Sequence, residues 1–134
     1  MFNKKKKYFK KKLNGVKCMT WDLEFKRAKT AQIREDIRRE YDGVSARLHI
    51  IDTQIKALPE DRKNWTDEQK RLDDQKVLLE KDKENYISQM KGLDVEINGS
   101  QKTNEFPEGY NGINQQLEAL RELQTMLREF IKTL

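Results

Sequence analysis

The chain has 134 residues, of which 38% are charged and 35% hydrophobic, with six glycines, two prolines, one cysteine and a net charge of +5. This length corresponds to one folding unit, and the composition excludes a thick globular core while suiting long helices with a narrow buried seam. A lone cysteine, Cys18, excludes an intramolecular disulfide and, with His49 the sole histidine, a structural zinc cluster. No apolar run approaches the roughly 18 residues that span a bilayer, and the start lacks the apolar core of a secretory signal.

Eight lysines and no acid fall in the first 17 residues, so one end carries +8 and the remainder −3 of the total. Residues 1–19 are read as a basic arm whose partner is anionic, ahead of a helical coiled-coil domain over 20–134. Lys4, Lys5, Lys6, Lys7, Lys10, Lys11, Lys12 and Lys17 can neutralise phosphates with release of counterions. Tyr8 and Phe9, set among them, can stack on unpaired bases. A second reading stays open: Phe2, Phe9, Leu13 and Val16, spaced 7, 4 and 3, would give a helical arm the apolar face of a membrane-surface anchor. A third is a tail that solubilises the chain or docks on an acidic protein.

The first helix is predicted over about residues 20–58. Ile37, Tyr41, Val44, Leu48, Ile51, Ile55 and Leu58 alternate in steps of four and three, the seam of a left-handed coiled coil. Upstream, Phe25 and Ile33 keep a helical face but leave heptad phase, which predicts relaxed supercoiling there. Acid-before-base pairs Asp22/Lys26, Glu35/Arg39 and Asp52/Lys56 support the helix. Gly43 is read as a tolerated interior glycine. Arg27, Arg34 and Arg38 share a face and form a second basic patch, either a phosphate-positioning stripe or a solvated helix surface.

Pro59 stops this helix, and residues 60–64 make a short reversal that predicts an antiparallel return. Thr66 with Gln69 is a capping-box start for a second helix over about 66–97. Leu72, Leu79, Tyr86 and Leu93 recur every seven residues, with Met90 and Ile97 in the alternate seam positions. Lys76 and Lys83 occupy seam positions, where their methylenes can lie along the partner while the ammonium groups snorkel outward. Residues 93–97 alternate as a short strand would but also continue the helix, and helix is the expectation because a lone strand has no partner. Residues 98–112 form a loop carrying Phe106 and Tyr110, longer than the usual two to eight residues between bundled helices and so suspected of meeting a protein partner.

The last helix is predicted over about 113–134. Ile113, Leu117, Leu120, Leu127, Ile131 and Leu134 form one stripe, and Ala119, Leu123, Met126 and Phe130 an adjacent one. One stripe suffices for packing, so Leu123, Met126 and Phe130 are candidate interface residues toward a second copy or another protein. The alternative is that both stripes lie inside a monomeric three-helix bundle.

The sequence carries no Walker pattern, dinucleotide glycine pattern, nucleophile elbow or calcium loop, so no catalytic residue, cofactor site or metal ligand is expected. His49 sits beside Leu48 with no Cys or second His near it in sequence, and adjacent carboxylates such as Asp73 and Asp74 diverge on a helix by about 100 degrees. In composition and helical organisation the body resembles the small Lys/Glu/Asn-rich coiled-coil proteins among bacteriophage structural and accessory components. That resemblance implies a place in a virion or nucleoprotein particle. The combined expectation is an all-α chain: a long antiparallel coiled-coil hairpin plus a third C-terminal helix, with a basic N-terminal arm. It would be a non-enzymatic structural or adaptor protein anchored electrostatically to nucleic acid, cytoplasmic or particle-bound, neither secreted nor transmembrane. The runners-up are a membrane-surface adaptor and a purely protein-binding scaffold subunit.

Overall fold

A computed structural model describes residues 2–102, 104 and 109–134, with side chains from Lys4 onward. Three helices carry the chain: α1 at Phe2–Lys56, α2 at Asp67–Asn98 and α3 at Ile113–Thr133, with one 3₁₀ turn at Arg62–Asn64. The described residues include no strand, and residues 93–97 are helical. The expected helix limits hold within one or two residues except at the first, which starts at Phe2 instead of near 20. The boundary expected at residue 19 therefore has no counterpart in secondary structure, and the lysine-rich segment is the start of α1. Contacts divide the chain into two compact units, Met1–Gln32 with Leu93–Leu134, and Ile33–Gly92.

In the unit Ile33–Gly92, α1 and α2 pair antiparallel. Tyr86 hydrogen-bonds to Glu40, Lys83 Nζ lies 5.5 Å from the Tyr41 ring centroid, and Lys76 Nζ sits 2.8 Å from Asp52; the contacts climb one helix as they descend the other. Val44, Leu48 and Ile51 are buried on the predicted seam, while α2 contributes no fully buried residue. The two seam lysines thus have distinct ends, one an ion pair and the other an aromatic face. Asp52 is engaged across the seam by Lys76 instead of along its own helix by Lys56, whereas Glu35 does meet Arg39 at 3.8 Å.

The reversal follows the residues. Pro59 cannot continue α1, Asp61 accepts from the Lys63 amide at 3.0 Å, and Trp65 donates its indole N–H to the Pro59 carbonyl at 2.6 Å. The capping box forms reciprocally, with the Thr66 amide donating to Gln69 at 2.9 Å and the Gln69 amide to the Thr66 hydroxyl at 3.2 Å.

In the other unit, α3 pairs antiparallel with the N-terminal half of α1. Phe9 meets Phe130 with ring centroids 4.8 Å apart, the Gln124 amide donates to the Thr20 hydroxyl at 2.8 Å, Arg121 contacts Glu24 at 3.0 Å, and Arg27 donates to Asn114 at 3.0 Å. Leu13, Thr20 and Thr30 of α1 and Ile113, Leu117, Gln124 and Ile131 of α3 are buried. The α1 positions withdrawn from solvent here are Phe9, Leu13, Val16, Thr20, Leu23, Arg27 and Thr30, with Glu24 beside them, and the seven are again in steps of four and three. Heptad phase therefore does not drift upstream of Ile37; it continues through polar residues, and Phe25 and Ile33 lie off it, exposed. The physical reason is that α3 supplies enough apolar surface for α1 to place threonine and arginine opposite it.

The connection between α2 and α3 leaves and returns through a narrow neck. Ser100 and Tyr110 exchange backbone hydrogen bonds of 2.8 and 3.3 Å, and Asn98 accepts from Asn114 at 2.9 Å and Gln115 at 2.6 Å. Gly99 has φ +76°, and a Cβ on it would press on the Tyr110 carbonyl and the Gly112 amide; a Cβ on Gly112 would collide with the Gly99 backbone. Both positions require glycine for close backbone approach.

Candidate polyanion-binding surface

The first turns of α1 concentrate like charge where a helix tolerates it least. Unsatisfied amides give a helix N-terminus a partial positive charge, yet α1 has no acid in its first turn, and Lys6/Lys10 and Lys7/Lys11 are like-charged neighbours at four-residue spacing. Lys4, Lys5, Lys6, Lys7, Lys10, Lys11, Lys12 and Lys17 are all exposed. Among the described residues none of them forms an ion pair. Lys12 Nζ lies 5.4 Å from the Tyr8 ring centroid, its one specific contact. The segment is helical because its other face is held: Phe9 and Val16 are half-buried and Leu13 is buried along the line that meets α3.

This placement separates the two aromatics expected to stack on bases. Tyr8 is 55% exposed and rests edge-on against Phe9 at 5.1 Å. Phe9 is committed to Phe130 and presents little face to a ligand. Phe9, Leu13 and Val16 are the residues that a membrane anchor would have to insert, and Leu13 is buried and the other two half-buried within the chain; the Phe2 side chain lies outside the described ones.

The second basic patch is engaged internally. Arg27, half-buried, points to Asn114, and Arg34 is half-buried with an interaction of its own. Arg38 donates to both Glu35 and Asp42. The hydrogen bonds to Glu35, then the charges of Glu35 and Asp42, push its pKa above the ordinary arginine value, and the Arg38 hydrogen bond holds the Glu35 carboxyl below its own. A guanidinium already forked on carboxylates has fewer donors for phosphate, so the expected Arg27, Arg34, Arg38 stripe contributes structure along α1 instead of an open row of cations.

Of the expected protein-interface residues, Leu123, Met126 and Phe130 are 41%, 67% and 45% exposed, with Phe130 partly covered by Phe9. Tyr110 is exposed at the loop neck and has an interaction of its own; Phe106 lies outside the described residues. Sequence reasoning passed over Trp21 and mis-set Phe25, which stand 76% and 73% exposed. The available signal was the 3/4 spacing of Lys4, Lys7, Lys11, Asn14, Cys18, Trp21 and Phe25, a line off the seam.

No cluster of metal-binding side chains occurs among the described residues, and His49 and Cys18 are exposed. No helix among the described residues is long and apolar enough to cross a membrane. Comparison of the chain with protein-family models, curated proteins and solved structures finds no match.

Proposed function

We infer that the protein is a non-enzymatic helical adaptor that attaches to a polyanion, foremost nucleic acid, through the N-terminal end of α1. The observation that carries this reading is a helix start bearing eight exposed lysines with no acid to balance them. A bound polyanion relieves the mutual repulsion of those lysines and releases condensed counterions, so association is salt-dependent and largely independent of sequence. The exposed α3 residues Leu123 and Met126 remain the surface for a second copy or a protein partner, in a virion or other nucleoprotein particle. The membrane-surface alternative loses its main support, because Leu13 is already buried within the chain.

Neutralising Lys4, Lys5, Lys6, Lys7, Lys10, Lys11 and Lys12 to glutamine tests the reading without disturbing the face that meets α3. Nucleic-acid binding followed by anisotropy at low and moderate salt is expected to be lost, with helicity by circular dichroism unchanged. Binding that persists in this variant, or that ignores salt, removes the electrostatic reading.

A further inference from the structure

We propose that α1 recognises single-stranded nucleic acid along one line, with Lys4, Lys7 and Lys11 holding phosphates and Trp21 and Phe25 stacking on unpaired bases. The proposal rests on the polyanion reading above and specifies the form of its ligand. The residues at 4, 7, 11, 14, 18, 21 and 25 follow in steps of three and four, which keeps them on one face of a helix. At 1.5 Å per residue the line is about 30 Å long. It lies off the line that meets α3, and both of its aromatics are largely exposed. Shallow grooves flank Trp21, one lined by Asn14, Lys17 and Cys18 and the other by Asp22, Glu24 and Phe25.

The chemistry separates this ligand from its rivals. A duplex keeps its base faces inside the stack, so ring platforms gain nothing from it unless a base is extruded; lysines alone favour the duplex, whose phosphates lie more densely along its axis. Trp21 and Phe25 are helical neighbours about 5–6 Å apart, so they present adjacent ring faces to a strand whose backbone the lysines already hold. Two carboxylates stand nearby. Glu24 is neutralised by Arg121 at 3.0 Å, and Asp22 lies on the flank of the line. A protein partner seated on Trp21 and Phe25 would have to accommodate the cationic continuation of the same face, whereas a phosphate backbone complements it.

The test uses the full chain with an oligothymidylate and a duplex of equal phosphate number, reading affinity and tryptophan emission. Tighter binding of the single strand is expected, with quenched emission that disappears in Trp21→Phe. Trp21→Ala with Phe25→Ala should weaken single-strand binding roughly tenfold to hundredfold, the scale of base–aromatic stacking, and leave duplex binding unchanged. Lys4→Gln, Lys7→Gln and Lys11→Gln should weaken both. Equal affinity for the two forms, insensitive to the aromatic pair, overturns the stacking line while leaving the electrostatic reading standing. Binding of neither form overturns both. A doubled mass abolished by Trp21→Ala, without any change in nucleic-acid affinity, overturns the proposal in favour of self-association.

Discussion

In residues 33–92 the buried aliphatics, Val44, Leu48 and Ile51, all belong to α1, and α2 buries none. In the unit built from residues 1–32 and 93–134 the assignment reverses: α3 supplies Ile113, Leu117 and Ile131, while α1 lines its side with Leu13 but also Thr20, Arg27 and Thr30. An antiparallel helix pair thus concentrates its fully buried aliphatics on one partner, although half-buried Leu72, Leu79 and Met90 of α2, and Phe9 and Val16 of α1, stay apolar on the facing side. The other can carry hydroxyls, an amide or the stems of long cations, provided their polar ends are met. Lys76 on Asp52 and Gln124 on Thr20 are the two solutions, the first at the rim and the second within the seam.

The comparison breaks most visibly at Leu117, which has no exposed surface. Leu117→Ala is expected to cost about 2–5 kcal/mol in chemical denaturation, whereas Leu78→Ala, at a site 63% exposed, should stay within about 0.5 kcal/mol. Removing residues 2–17 is the next test, because it takes away Phe9, Leu13 and Val16 along with the lysines. Melting temperature should fall clearly on truncation, as burial of an aliphatic side chain contributes about 1.5–3 kcal/mol when complete. Lysine-to-glutamine variants of the same segment should hold or raise it. If truncation leaves melting unchanged, the N-terminal half of α1 does not depend on α3.

Gln124 sharpens the polar half of the comparison. Gln124→Ala removes the donor that the Thr20 hydroxyl accepts from and leaves it only its own bond to the Val16 carbonyl at 2.9 Å, which should cost about 0.5–1.5 kcal/mol, while Gln124→Leu combined with Thr20→Val should be near neutral. A double-mutant cycle by urea denaturation measures the coupling. Smaller and opposite in sign is Gly43→Ala. The α1 interior leaves nothing within 4 Å of an added Cβ there, so the change should stabilise by about 0.4–1 kcal/mol.

The least effect is expected from acid. The Lys76 hydrogen bond holds the Asp52 carboxyl below its ordinary value of 3.8. A depressed folded value contributes stability above the ordinary one and loses it as pH falls through the folded value. Asp52→Asn should flatten that part of the stability profile; an unchanged acid slope would show the pair idle in solution.

What the sequence displayed follows from the same asymmetry. Residues 37–58 and 113–134 were readable because each carries the apolar side of its pair, and heptad spacing of Leu, Ile and Val is conspicuous. The segment from Thr20 to Thr30 was not, since threonine and arginine fill positions whose spacing matches that of Val44, Leu48 and Ile51, although Phe9, Leu13 and Val16 just before it already displayed a helical face. Its heptad becomes legible only once α3 is known to lie opposite. Gln124 stayed hidden for the same reason, a polar residue in the gap between Leu120 and Leu127. The lysine cluster was plain as charge, yet charge alone gave no sign that Phe9 and Leu13 were anchored.

The neck formed by Gly99, Ser100, Tyr110 and Gly112 makes the intervening segment a splice port. Because the chain departs and returns between backbones in direct hydrogen bonding, whatever is grafted between Lys102 and Gly109 need only have termini that meet, and loop-closure cost grows slowly with length. A reporter domain placed there should leave α3 seated on α1. Lineages of such a chain could acquire cargo at this point without rewriting a single seam residue.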